Sequence, residues 1–301
     1  YVYTPVLPEE LSKFEVADTA DLPEIYVMVG DAGVALLADT PHDLNGNYLV
    51  IDKTNVTRFN GKTITGTYHP TERLTGGEIE GGIVIDDVEV DLTIENVNIS
   101  YDSIIIDDAA GILLKGNAKL NLTVKGENSL KGTYGGAGIG VEENATLIIT
   151  KKSTGSLTAT GGGYGAAGIG GRATVPLNGD IKSYKTGTIE IQGGNIHAVG
   201  GDCWFKGSAT RLGGAGIGTG IYGIGGTVRI LGGIVKAEGG IETGAGIGGG
   251  ESGAVDSIQI GEKNGEAPEV EAISYNVKYG AAIGSGRNAL LDLKLSCGTI
   301  N

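Results

Sequence analysis

The sequence predicts an all-β fold of the stacked-repeat type, a single-stranded parallel β-helix, and three observations predict it. The phrase Gly-Ala-Gly-Ile-Gly recurs five times, at 136–140, 166–170 (Ala-Ala-Gly-Ile-Gly), 214–218, 244–248 and 280–284 (Gly-Ala-Ala-Ile-Gly). Its isoleucines, Ile139, Ile169, Ile217, Ile247 and Ile283, follow one another at 30, 48, 30 and 36 residues, and a unit returning at a roughly fixed period marks a solenoid. Between the phrases, apolar residues alternate at period two and nowhere at the helical period. Glycine supplies 56 of 301 residues without a Gly-X-Y period. That excludes collagen and leaves glycine as the punctuation of short strands.

Residues 1–45 do not share the repeat and are read as an N-terminal cap or small β segment. Pro8-Glu9-Glu10-Leu11-Ser12-Lys13-Phe14 has a helix-start composition. Ile25–Val29 and Val34–Leu37 predict two strands around Gly30-Asp31-Ala32-Gly33. A stack of coils leaves its first apolar layer open, so something must cover it.

Residues 46–301 are assigned to the β-helix. Asn45-Gly46 and Asn60-Gly61 are turn dipeptides. The runs 82–87 and 101–108 align with the glycine-rich units, which places Ile85 and Ile106 in one column with the five isoleucines. Two positions earlier stand Ile83, Ile104, Ala137, Ala167, Ala215, Ala245 and Ala281, on the same inward face. Between them, on the outer face, stand Val84, Ile105, Gly138, Gly168, Gly216, Gly246 and Ala282. A second strand follows in each unit (Leu147/Ile149, Ile189/Ile191, Val228/Ile230, Ile258/Ile260, Leu291/Leu293). Most units add a third (Leu157/Ala159, Ile196/Ala198, Val235/Ala237, Val270/Ala272). About seven to eight coils result, forming a rod of roughly 35 Å at about 4.8 Å per coil. The 48-residue unit carries two insertions, near 172–186 and 202–212, expected to emerge as loops on the binding face.

Thirty-six acids against 22 Lys and Arg give a net charge of −14, which argues against nucleic acid as a partner. Cys203 and Cys297 have no metal spacing and define no disulfide framework. No apolar run reaches transmembrane length, so no direct membrane insertion is expected. A start at Tyr1 without Met fits removal of a signal or anchor segment.

Several groups are candidates for chemistry. Asp86-Asp87 and Asp107-Asp108 follow the aligned isoleucines, and Glu142-Glu143 stand near the same place one coil on. Stacked, they would form a carboxylate ladder about 5 Å apart, for which calcium is the suited hard cation and a solvated acidic edge the plain alternative. Tyr101, Tyr134 and Tyr164 each precede a column isoleucine by five residues, and Tyr279 by four. Such a row could stack on sugar rings or only hold coil to coil. Trp204 and Phe205, in the second insertion, are a platform candidate, and Arg172 is a cation suited to an acidic sugar. His42, His69 and His197 share no motif. The phrases at 218–223 and 248–253 match Gly-x-Gly-x-x-Gly but precede no helix, so nucleotide binding is not expected.

The Gly-Ala-Gly-Ile-Gly unit, followed by Gly-Thr-Val-Arg-Ile-Leu-Gly-Gly-Ile-Val-Lys-Ala-Glu-Gly-Gly at 226–240, resembles the repeats of large bacterial cell-surface proteins of adhesin-like or carbohydrate-binding type. The resemblance covers about residues 80–300. More distantly, the chain is similar to a right-handed parallel β-helix domain that binds plant polysaccharides and holds calcium. These resemblances imply right-handed coils and an extracellular, secreted or surface-anchored glycan-binding module. No cofactor is required, calcium is a candidate structural ion, and a monomer is expected. A polysaccharide lyase or hydrolase using Asp86, Asp107 and Asp108 is the alternative, but the Arg-x-Pro-x-x-Arg phrase of the β-helix lyases is absent. A passive spacer within a large adhesin is the third reading.

Overall fold

The computed structural model describes residues 27–30, 33–36, 40–70, 80–101, 108–173, 184–203, 211–261, 267–275, 280–287 and 294–297. The chain divides into two compact units, Tyr1–Thr40 and Pro41–Asn301. In the first, strands Val27–Gly30 and Gly33–Leu36 pair antiparallel across residues 31–32, close to the two strands expected there. The helix expected at 8–14 lies outside the described residues.

The second unit is all-β and built from parallel ladders. The first ladder stacks eight strands in chain order: Leu49–Ile51, Gly81–Asp86, Ala110–Lys115, Ile139–Val141, Ile169–Gly170, Ile217–Gly218, Ile247–Gly248 and Ile283–Gly284. The second runs from Glu89–Ile99 through Lys119–Lys125, Thr146–Ile149, Thr188–Ile191, Thr227–Ile230 and Ser257–Ile260 to Lys294–Cys297. The third runs from His42–Asp43 and Thr63–Tyr68 through the end of Glu89–Ile99, Glu127–Lys131, Ser156–Thr160, Asn195–Val199 and Ile234–Glu238 to Glu269–Ile273. Each pass of the chain, a coil below, visits the ladders in this order. Strand Glu89–Ile99 enters both the second and third ladders. One helical turn, Val56–Phe59, is the only helix among the described residues, and none there is long and apolar enough to cross a membrane.

Period-two alternation fills the interior. Ile83, Ile112, Ile139, Ile169, Ile217 and Ile247 stand in one register column and are fully buried. Val90, Leu120, Leu147, Ile189, Val228 and Ile258 form a second buried column. Leu157, Ile196 and Val235 belong to a third. Burying one such side chain stabilises by about 1.5–3 kcal/mol. Asn128 interrupts the third column without leaving a polar group unmet. Its Oδ1 accepts from the Val97 amide at 3.0 Å, and its Nδ2 donates to the carbonyls of Lys125 and Ser156 at 2.7 and 3.1 Å.

Three details differ from the sequence expectation. First, Ile83 and Ile112 share the column of Ile139; Ile85 pairs Leu114 instead, and Ile106 lies outside the described residues. The strand of that coil is Ala110–Lys115 rather than 101–108. The run Ile104-Ile105-Ile106-Asp107-Asp108 imitates Ile83-Val84-Ile85-Asp86-Asp87 in composition, whereas the equivalence follows the glycine before each column isoleucine (Gly82, Gly111, Gly138). Second, the glycine column does not face outward. A β-carbon on Gly138, Gly168 or Gly216 would stand 2.6, 2.6 or 2.7 Å from the amide nitrogen of Thr160, Val199 or Glu238, because the first ladder turns against the end of the third. The alanines one residue earlier are buried, but Ala110, two before Ile112, packs with Val84 and Leu113 in a separate small cluster. Third, the last second-ladder strand is Lys294–Cys297, with Ile258 opposite Leu295 and Ile260 opposite Cys297. The pair Leu291/Leu293 lies outside the described residues.

The final glycine of the phrase has its own reason. Gly170, Gly218 and Gly248 have φ of +130°, +137° and +134°, and a β-carbon there would lie 1.9, 1.9 and 1.7 Å from the carbonyl oxygen of the matching glycine in the next coil. Only glycine fits a backbone that turns this way against its own copy.

Candidate functional site

The corner that follows the first ladder gathers most of the charged candidates, but not as a row of like charges. Lys115 lies between Glu80 at 2.6 Å and Asp86 at 3.4 Å. These partners hold its ammonium above the usual lysine range, the Glu80 hydrogen bond most of all. Arg172 lies 3.3 Å from Glu142, and Lys185 lies 2.6 Å from Glu143. The Asp87 carboxylate accepts from the Asn117 side chain at 2.8 Å and its amide at 3.1 Å, which lowers its pKa. Asp108 does not stand with the acids that follow the strands. It precedes its strand and accepts from the Gly135 amide at 2.8 Å. Asp107 lies outside the described residues. The structure therefore interleaves the expected carboxylates with cations and an amide. Among the described residues, no three His, Cys, Asp or Glu side chains are grouped to hold a metal.

Beside this corner runs a groove in two chambers, of about 490 and 480 Å³, which share Glu143, Asn144 and Lys185. One chamber adds Glu142, Arg172 and Tyr184; the other adds Thr188, Ile224, Thr227 and Asp256. Asn144 has φ of +70°, a left-handed turn that asparagine tolerates, and it is exposed with Glu143 at the rim. Lys185 bridges in parallel to Ile224, and Ile224 to Ala254, so a minor ladder forms beside the groove. Ile224 is 44% exposed and presents an aliphatic face to the groove.

Arg172 is largely spent on the fold. Its guanidinium touches Glu142, donates to the Asp108 carbonyl at 3.5 Å and lies 5.3 Å from the Tyr184 ring centre. Two polar atoms here are buried without a hydrogen-bond partner, Arg172 Nε and Thr186 Oγ1. The Lys185 ammonium is raised by its hydrogen bond to Glu143 and by that carboxylate's charge, with Asp256 adding to the effect. The groove thus offers hydroxyls, a carboxamide, carboxylates, two engaged cations, one ring and one exposed aliphatic face. It is equipped to bind a polar ligand.

The expected tyrosine row splits. Tyr134 and Tyr164 pack across adjacent coils with ring centres 5.0 Å apart and ring planes tilted by 45°. Tyr164 also packs with Tyr222 on a small cluster of Ala166, Ala173, Cys203, Leu212 and Ile221. Tyr101 turns inward instead, 5.8 Å from Tyr68 and edge-on, with its hydroxyl donating to the Ala110 carbonyl at 2.6 Å. Tyr279 lies outside the described residues. The second insertion starts as a hairpin, Asp202–Cys203 against Leu212–Gly213. Cys203 is buried in that cluster, and burial pushes its thiol up to about 11. Trp204 and Phe205 lie outside the described residues.

One constellation was not legible from sequence spacing. On the outer side of the third ladder, Glu238 is held by Lys236 at 2.7 Å, by His197 at 2.7 Å and by the Tyr275 hydroxyl. Burial alone would raise its pKa; the three donors more than offset this and bring it to about 2. The register His197–Lys236 was the available signal. Asn144, Tyr184, Lys185 and Asp256 were missed for a similar reason. Each stands just before a second-ladder strand that opens with Thr146, Thr188 or Ser257, a position that only the aligned coils reveal.

No protein-family profile, curated protein sequence or solved structure matches the chain.

Proposed function

We propose that residues 41–301 form a right-handed parallel β-helix that serves as an extracellular, adhesin-like glycan-binding module of a bacterial surface protein. The corner groove is its binding site. The observation that carries this reading is the groove's lining: Asn144, Thr188 and Thr227 offer hydrogen bonds to sugar hydroxyls, and Tyr184 and Ile224 offer apolar contact, on a rigid stack of strands. The right hand follows from the strong preference of parallel crossovers. Asp86, Asp87, Asp108, Glu142 and Glu143 have cationic or amide neighbours, so glycan binding here runs through the groove's own side chains and not through a metal.

The test is depletion of the protein from solution by a panel of immobilised and insoluble polysaccharides, with calcium and with chelator. Selective depletion, unchanged by chelator and lost in Asn144→Ala/Tyr184→Ala, is the expected result. No depletion by any polymer leaves the spacer reading in place. New reducing ends on any polymer would favour the lyase or hydrolase reading.

A further inference from the structure

The groove crosses coils instead of sinking into one. Its lining residues recur just before successive second-ladder strands: Glu143 and Asn144 before Thr146–Ile149, Lys185 and Thr186 before Thr188–Ile191, Ile224 and Gly225 before Thr227–Ile230, and Asp256 before Ser257–Ile260. Those strands are in register, Thr146 with Thr188, Thr188 with Thr227 and Thr227 with Ser257. The same stretch of backbone therefore recurs along the stack at the strand spacing of about 4.8 Å, while its side chains change from Asn144 to Lys185, Ile224 and Asp256. A linear ligand lying along it meets a new set of contacts at each step, and the step is comparable to one sugar ring.

Charge narrows the class. The groove presents Glu142, Glu143 and Asp256 against Arg172 and Lys185, a surplus of one carboxylate. Arg172 is tied to Glu142 and Lys185 to Glu143. A polymer of uronates or sulfated sugars would meet no surplus cation, and the whole chain carries −14. The Glu143–Lys185 pair has both side chains about half exposed, 53% and 54%. Such a pair is weakly held, so both ends can turn to sugar hydroxyls at little cost.

We infer that the groove binds an uncharged linear polysaccharide lengthwise, one sugar per coil over about four coils. The inference rests on the glycan-binding reading and adds orientation, length and charge class to it. The test is titration calorimetry of the full chain with β-1,4-linked gluco-, manno- and xylo-oligosaccharides of one to six sugars, and with galacturonate oligomers of the same lengths.

In at least one neutral series, affinity is expected to rise on the order of tenfold for each added sugar, the equivalent of about 1.4 kcal/mol, and to level off after the fourth. Asp256→Ala should erase one of those increments and Asn144→Ala another, while the remaining increments persist. A single sugar that binds as tightly as the tetramer would overturn the lengthwise arrangement and leave glycan binding standing. Tighter binding of the galacturonate series would overturn the charge assignment. Absence of binding in every series, together with no depletion by any polymer, would overturn both this inference and the reading beneath it.

Discussion

Gly218 faces Gly248 so closely that a β-carbon on the first would stand 1.9 Å from the carbonyl oxygen of the second. The obstacle is backbone of the next coil, which cannot swing aside as a side chain would. Gly218 also has φ of +137°, where L-residues are strained. Gly218→Ala is expected to cost about 3 kcal/mol or more in urea unfolding. Gly46→Ala is the control. Gly46 has φ of +79° but nothing within 4 Å of the added carbon, so its cost should be near 1 kcal/mol. Equal costs at the two sites would show that the coils are not in this register.

Ile217, one residue earlier, is fully buried. Ile217→Ala removes its contacts with the coils on both sides and should destabilise by about 2–5 kcal/mol. Ile217→Asp places a carboxylate in the same column and should prevent folding. Circular dichroism and solubility distinguish the two, and near-normal stability of the aspartate variant would contradict the inward assignment.

Glu238 sets the direction of one pH effect. Its folded-state pKa is lowered from 4.5 to about 2. The stabilisation is therefore fully present above about pH 4.5 and is lost as pH falls from there towards 2. Its size is at most about 3 kcal/mol. Glu238→Gln should lower the melting temperature at pH 7 and lose most of that deficit at pH 2. A deficit of the same size at both pH values would mean that the carboxylate's charge plays no part.

The interleaved corner makes a prediction about calcium. Lys115 separates the carboxylates of Glu80 and Asp86. Lys115→Gln leaves those two acids without the cation between them. The variant should be less stable by about 1 kcal/mol and should recover part of that loss when calcium is added, while the native chain changes little between calcium and chelator. Thermal unfolding in both buffers decides it. Strong calcium stabilisation of the native chain would place an ion where the described residues show none.

Much of this fold was legible because its interior repeats. Leu157, Ile196 and Val235 fall into register as the alternation predicts, and the phrase glycines locate the first ladder. The first half of the unit was harder. At 101–108 an apolar run bracketed by aspartates looked like the strand at 82–87, and side-chain composition outweighed the more telling backbone signal, a glycine ahead of isoleucine at Gly111-Ile112. That slip of six residues, from Ile106 to Ile112, produced the expected carboxylate ladder. It set Asp108 beside Asp87, whereas the two lie at opposite ends of their strands. Of the groove, Glu142, Glu143 and Arg172 were legible as charges beside a corner. Tyr184, Lys185 and Asp256 were not, since cross-coil neighbours such as Lys185 and Glu143, 42 residues apart, acquire meaning only once the coils are stacked.

The glycine contacts also bear on how such a chain changes length in evolution. Gly170, Gly218, Gly248 and Gly284 present the same backbone face to one another. Excising residues 218–247 would join Ile217 to Gly248 and restore the phrase Gly-Ala-Gly-Ile-Gly at the junction. The coils on either side would meet through surfaces they already use. Duplication of the same stretch would be accommodated equally well. Length can therefore change by whole coils with the backbone register kept, and only outward pairs such as Glu190 with Arg229 need to be matched anew.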